Sequence, residues 1–110
     1  MEPDDLRLLQ SAGAVSAVDA GHVLIERGQP GTGLYVILEG AVVVEAPEGT
    51  RKLGAGSVIG ERALLSPDGT RTARVRTTEP ARVLAVDRGA FDELCAGDPD
   101  LARRVSEAAE

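Results

Sequence analysis

The residues whose types and spacing could do chemistry are concentrated between Val58 and Val75. A short apolar strand end leads into Gly60, where the backbone can approach a ligand without an intervening side chain. A short helical turn is predicted from Glu61 to Leu65, and its first amides, which have no intrahelical partner, carry partial positive charge. Residues 66–69, with the sequence Ser-Pro-Asp-Gly, are typical of a turn. We therefore expect an anion site in this stretch.

The strand predicted to follow this turn begins at Arg71 and places a charged side chain on its more apolar face. Side chains alternate between the two faces of a strand, so Arg71 is expected on the same side as Ala73, Val75 and Thr77. A guanidinium that faces a core is costly unless it is paired and hydrogen-bonded. Its partner is either Glu61, in a structural ion pair, or a bound anion, and the spacing alone leaves both open.

The size and charge of the chain limit the classes of function. A chain of 110 residues is large enough for one hydrophobic core and too small for two, which predicts a single domain spanning residues 1–110. Its formal net charge of −6 argues against general nucleic-acid binding. Residues 51–90 nevertheless carry eight Lys or Arg and four Asp or Glu, a balance of +4, which is consistent with a small anionic ligand. The alternative is that the charges are scattered and solvated on strands, which would explain Arg74, Arg76 and Arg88.

The chain has one cysteine, Cys95, and one histidine, His22, and both counts restrict its chemistry. A single cysteine excludes an internal disulfide and fits a reducing compartment. The sequence contains no apolar run of 18 residues and no signal peptide, so a cytoplasmic location is expected. A cupin-type metalloenzyme, which would share a jelly-roll fold, needs several clustered His or carboxylate ligands, and one histidine cannot supply that cluster. Neither a metal site nor an enzymatic activity is therefore expected.

Short apolar segments divided by glycine turns define the expected fold. The clearest strands are residues 34–39 and 41–45, joined at Gly40. Helical patterns end near Gly13 and begin after Asp87, which suits an N-cap, and Cys95 is expected to pack against the core. Many short strands with turns every eight to twelve residues predict a mainly β protein. We expect an antiparallel β-roll, similar to a jelly-roll barrel, with short flanking N- and C-terminal helices.

Several spaced motifs resemble one known family. Gly60-Glu61 and Arg71-Thr72-Ala73, with an apolar helical turn and a short loop between them, resemble the phosphate-binding cassette of cyclic nucleotide-binding domains. Such domains occur in the catabolite activator protein, in cyclic-nucleotide-dependent kinases and in cyclic-nucleotide-gated channels. Residues 20–28 resemble the second strand and turn of the family, and residues 34–44 resemble its next hairpin. The resemblance therefore extends over nearly the whole chain.

The resemblance implies a ligand and a role for individual residues. Arg71 would make a bidentate contact with the exocyclic oxygens of a cyclic phosphate. Glu61 would accept a hydrogen bond from the ribose 2′-hydroxyl, and Thr72 would contact a phosphate oxygen or the base edge. The ligand would be cAMP or cGMP, without a further cofactor. In the family, a hydroxyl residue after the arginine permits guanine recognition without requiring it, which leaves the base open. We favour cAMP because many bacterial members with a hydroxyl residue at this position bind it. The implied ligand-binding residues are Gly60, Glu61, Arg62, Ala63, Leu64, Arg71, Thr72 and Ala73.

On the strand of residues 41–45, Val42 and Val44 share one face and would form an apolar wall near the base. The alternative is that they are ordinary core valines.

Two features depart from the pattern of the family. Arg62 stands where many members carry leucine, and the sequence ends at Glu110, where members usually continue into a longer helix that caps the base. We expect a sensor domain from a larger signalling protein, with a homodimer or a fused output domain as partner and no membrane contact. The alternative is a degenerate domain that serves dimerisation or docking without nucleotide, and the retained Glu61 and Arg71 argue against it. Direct nucleic-acid binding is not expected, because the sequence lacks an aromatic stacking platform.

Overall fold

Turns rich in glycine, proline and charged residues separate the short helices and strands of the described chain. The computed structural model describes residues 2–28, 33–60 and 73–108. The helices in these ranges are α1 (Pro3–Ala12), α2 (Arg88–Gly97) and α3 (Leu101–Ala108). The strands are β1 (Ala14–Val18), β2 (Val23–Ile25), β3 (Gly33–Glu39), β4 (Ala41–Ala46), β5 (Gly49–Gly54), β6 (Val58–Ile59), β7 (Arg74–Thr77) and β8 (Ala81–Asp87). No helix among the described residues is both long and apolar enough to span a membrane.

The strands form two four-stranded sheets, and every strand pair is antiparallel. The first sheet has the order β1-β8-β3-β6, and the second has the order β2-β7-β4-β5. The predicted mainly β roll with short helices at both ends is confirmed. The described residues form two separate sheets and no closed barrel.

The first sheet is the middle layer of the molecule. One of its faces packs against the three helices, and the other packs against the second sheet. The central strands β3 and β8 are therefore covered on both faces, which explains why their sequences are continuous apolar runs without clear alternation. The core on the helix side contains Leu9, Leu34, Val36, Val58, Leu84, Val86, Phe91, Leu101 and Val105. The core between the sheets contains Ile25, Ile37, Val42, Val44, Ile59, Val75, Ala81 and Val83.

The prediction of a hairpin over residues 34–44 is wrong. The two strands have the predicted positions to within one residue, but β3 pairs with β6 and β8, whereas β4 pairs with β5 and β7. Gly40 between them has φ +92°, and a Cβ there would lie 2.7 Å from the carbonyl oxygen of Pro80. A turn at this glycine therefore moves the chain from one sheet to the other, which a local sequence pattern does not distinguish from a hairpin turn.

The predicted helix boundaries are confirmed. Helix α1 ends at Ala12, with Gly13 as its C-cap residue. Asp87 caps α2, because its Oδ1 accepts a hydrogen bond from the Ala90 N–H at 2.8 Å. Cys95 is half-buried and packs against the core on the helix side, as expected, and burial raises the pKa of its thiol.

A cluster of three charged residues joins the two ends of the described chain. Asp5 on α1 is 3% exposed, and its Oδ1 accepts a hydrogen bond from Nε of Arg104 on α3 at 2.9 Å. The same guanidinium also donates to the carboxylate of Asp98, in the turn between α2 and α3. The hydrogen bond from Arg104 lowers the pKa of Asp98 below its ordinary value of 3.8. Arg104 therefore holds α1, the α2–α3 turn and α3 together.

Replacement of Arg104 should destabilise the fold much more than replacement of its neighbour on the same helix. Arg104→Ala removes the cation that pairs with the buried Asp5 carboxylate. Arg103→Ala removes only a solvent-exposed ion pair with Glu107. We expect the Arg103 variant to lose about 0.3–0.5 kcal/mol and the Arg104 variant to lose clearly more. Urea denaturation of both variants measures the difference, and equal losses would contradict the structural role of the cluster.

The lowered pKa of Asp98 predicts the sign of a pH effect. A carboxyl whose pKa is lower in the folded state stabilises the protein above its ordinary pKa, and this contribution is lost as the pH falls through the folded value. The melting temperature of the wild type should therefore decrease as the pH is lowered past about 4. The melting temperature of Asp98→Asn should decrease less steeply over the same range. Asp92→Asn, an exposed change on α2, is the control and should follow the wild type.

Candidate functional site

The predicted anion site lies on a segment that joins the two sheets. Residues 61–72 connect β6 in the first sheet to β7 in the second, and the structure describes Gly60 and Ala73 at its two ends. Strand β6 is fixed on the first sheet by pairing with β3, and Val58 and Ile59 are 0% and 2% exposed. Gly60 has φ +87°, a left-handed conformation that favours glycine. The chain therefore enters this segment from a buried strand that is paired with β3.

The strand after the segment has the predicted alternation of faces. Val75 and Thr77 are 3% and 0% exposed, and the half-buried Ala73 packs against the core between the sheets. Arg74 is exposed, and Arg76 is partly exposed. The prediction is thus confirmed for residues 73–77, although the strand begins at Arg74. The inner face of β7 is apolar, apart from the Thr77 hydroxyl.

Two of the arginines that raised the positive charge of the middle segment lie on the outer surface of the second sheet. Nε of Arg74 lies 3.6 Å from Glu26, and Nε of Arg76 donates to Glu45 at 3.0 Å. The four side chains are 36–51% exposed. The interpretation as solvated strand charges is therefore confirmed for Arg74 and Arg76, whose acidic partners lie outside residues 51–90. It is wrong for Arg88, which is the first residue of helix α2.

Val42 and Val44 lie beside β7 on the same inner face. Val42 is opposite Thr77, and Val44 is opposite Val75 in the strand register. Their exposed fractions are 0% and 7%, and both pack in the core between the sheets. Val42 and Val44 are therefore core residues, in agreement with their interpretation as ordinary core valines. Their contact with a nucleotide base stays a prediction.

The remaining predicted ligand-binding residues lie outside the described residues. They are Glu61, Arg62, Ala63, Leu64, Arg71 and Thr72. The structure therefore does not decide between a Glu61–Arg71 ion pair and a bound anion. In the described part of the chain, no group of three or more His, Cys, Asp or Glu side chains is placed to hold a metal ion.

Thr77 has a structural role that the sequence interpretation missed. Its Oγ1 donates to the Asp19 carbonyl oxygen at 2.6 Å and accepts from the His22 backbone N–H at 2.9 Å. Its backbone carbonyl also accepts from the Gly21 N–H at 2.8 Å. These bonds fix the β1–β2 turn to the strand that follows residues 61–72. The available signal was a hydroxyl residue on the apolar face of a strand, since a buried polar group requires partners.

Most of the chain matches the model of one known protein family. The family model described as "Cyclic nucleotide-binding domain" matches residues 15–98. This match includes both strands that flank the segment and the segment itself. The chain belongs to the cyclic nucleotide-binding domain family.

The curated relatives come from different kinds of protein. The chain is 34% identical over 92 residues to a cyclic nucleotide-gated potassium channel of Rhizobium etli, covering 84% of this chain and 26% of the channel. It is 31% identical over 91 residues to the CRP-like cAMP-activated global transcriptional regulator of Mycobacterium tuberculosis, covering 77% of this chain and 40% of the regulator. It is 37% identical over 94 residues to a cGMP-dependent protein kinase of Caenorhabditis briggsae, covering 78% of this chain and 12% of the kinase. The chain thus spans well under half the length of these relatives.

Solved structures agree with the fold. The Thermus thermophilus catabolite activator protein superposes with a TM-score of 0.81 at 26% identity, covering 97% of this chain and 53% of that one. A structure from work on a cyclic-GMP-dependent signalling pathway in bacterial phytopathogenesis superposes with a TM-score of 0.87 at 26% identity, covering 97% and 89%. Both cover nearly the whole of this chain.

The hydrogen bonds of Thr77 predict a loss of stability when its hydroxyl is removed. Thr77→Val keeps the shape of the side chain but leaves the Asp19 carbonyl and the His22 N–H without their partner. We expect a loss of about 1–3 kcal/mol in the free energy of unfolding. Thr78→Val is the matched control, because Thr78 is exposed and its hydroxyl makes only a 3.4 Å contact with the Ala41 carbonyl. Chemical denaturation that ranks the two variants equally would contradict this role.

Proposed function

We propose that this domain binds a cyclic mononucleotide on residues 60–73 and acts as a regulatory sensor module without turning the ligand over. The observation that carries the proposal is the position of this segment. It joins the two sheets, it is entered through a left-handed glycine after a fully buried strand, and it is left through a strand with an apolar inner face. Membership of the cyclic nucleotide-binding domain family supports the same ligand class.

The proposed roles divide the ligand between charge and hydrogen bonds. Arg71 binds the exocyclic oxygens of the cyclic phosphate, and a charge-assisted bond of this kind contributes roughly 1.5–3 kcal/mol. Backbone amides from Glu61 to Leu64, together with the glycine at position 60, hold the other phosphate oxygens. The Glu61 carboxylate accepts a hydrogen bond from the ribose 2′-hydroxyl, and Thr72 contacts a phosphate oxygen or the base edge. The adjacent Arg62, Ala63 and Ala73 complete the segment.

We propose cAMP as the ligand, with cGMP as the alternative. The relatives include a cAMP-activated regulator and a cGMP-dependent kinase, so membership of the family supports both ligands. The relatives also include a potassium channel, so a fused output domain is proposed as the regulated partner. A single half-buried cysteine supports a reducing, cytoplasmic location.

Calorimetric titration with cAMP, cGMP and 5′-AMP tests the proposal. The wild type should bind one of the cyclic nucleotides well and 5′-AMP much less, because the open phosphate has a different shape and charge. Arg71→Ala should weaken binding by roughly 2–5 kcal/mol, since it removes the cation that meets the phosphate. Arg74→Ala is the matched control, because this arginine is exposed on the outer face and pairs with Glu26.

Three outcomes would contradict the proposal. A folded wild type that binds neither cyclic nucleotide favours the degenerate domain. Equal affinity for 5′-AMP removes the specificity for a cyclic phosphate. Equal losses in the two arginine variants show that the effect of charge is general and does not arise from a contact with Arg71.

A further inference from the structure

The two sheets have four edge strands in the described chain, and three of them carry features that prevent pairing with another strand. An edge strand exposes unpaired backbone N–H and C=O groups, and proteins protect such edges by shortness, irregularity or charge. Strand β6 has two residues, both buried. Strand β2 has three residues and an irregular register. Strand β5 carries Arg51 and Lys52.

The fourth edge strand, β1, has none of these protections. It is a regular five-residue strand, Ala-Val-Ser-Ala-Val, without charge or proline, and its first four residues are exposed. Among the large hydrophobic side chains of the described chain, Val15 is the one that is exposed, at 44%. The surrounding sequence has no charged side chain from Leu8 to Val18. An apolar, regular and uncharged edge is suited to pairing with another strand.

We propose that β1 pairs with β1 of a second copy of this chain. The pairing is antiparallel about a two-fold axis at Ser16, which places Val15 of each copy opposite Ala17 of the other. Asp19 then falls opposite Gly13, so no like charges meet. Strand β1 itself carries no charge, so a second β1 brings no unpaired charge into the contact, whereas a charged strand would.

The proposed pairing extends the first sheets of both copies into one continuous sheet. A two-fold axis perpendicular to the sheet keeps the helices of both copies on the same side, and it closes after two copies because the contact is isologous. The gain comes from backbone hydrogen bonds and from covering Val15. Strand β1 is at the opposite edge of the first sheet from β6, the strand that leads into the proposed nucleotide site, so the proposal does not depend on that site.

Sedimentation equilibrium tests the association. Over about 10 µM to about 1 mM, the weight-average mass of the wild type should rise from 11.4 kDa towards twice that value. Val15→Lys should remain monomeric, because it places a charge on the edge. Thr50→Lys, an equal change of charge at an exposed position of the β5 edge, should associate like the wild type. If circular dichroism shows that Val15→Lys is unfolded, Ser16→Lys replaces it, since Ser16 is also exposed.

Cross-linking tests the register. Directly opposite residues of antiparallel strands have Cα atoms about 4.5–5.5 Å apart, which a disulfide can bridge. In a Cys95→Ala background, Ser16→Cys should form a covalent dimer on mild oxidation faster than Thr50→Cys. A wild type that is monomeric over the whole range, a Val15→Lys variant that associates like the wild type, or equal cross-linking at both positions would overturn the proposal.

Discussion

Burial of both faces of the first sheet is the constraint on which the rest of the structure depends. Its central strands β3 and β8 place Leu34 and Leu84 against the helices and Ile37 and Val83 against the second sheet. Complete burial of one such side chain contributes about 1.5–3 kcal/mol relative to its exposure. Neither the helical layer nor the second sheet can be removed without exposing one of these faces. The short helices at the two ends of the chain are therefore part of the core.

The sequence predicted the local structure well and the connection between the sheets poorly. Helix ends, the Asp87 cap and the faces of β7 follow from short-range rules, since capping and strand alternation involve residues close in sequence. The assignment of β3 and β4 to different sheets depends on partners that lie tens of residues away. The turn at Gly40 gives no local sign of this difference. The family resemblance supplied the position of the site, and most of its residues lie outside the described ranges.

The excess of positive charge in residues 51–90 of the sequence is partly neutralised in the folded structure. Residues 51–90 have a balance of +4, yet Arg74 and Arg76 meet Glu26 and Glu45, which belong to other parts of the sequence. These pairs lie on the outer face of the second sheet and are solvent-exposed. The net positive charge that β7 contributes is therefore smaller than the composition indicates. An anion bound on residues 60–73 would depend on individual donors more than on the general charge of residues 51–90.

The order of strands in the two sheets has a consequence for the way this protein is made. The last two strands to be synthesised insert between earlier ones, because β7 lies between β2 and β4, and β8 lies between β1 and β3. Until residues 74–87 leave the ribosome, β1 and β3 lack their shared neighbour, as do β2 and β4. Folding must wait for nearly the whole domain and must close long loops, which slows it. The nascent chain consequently exposes its apolar strands to chaperones, or to one another, until the last pair of strands arrives.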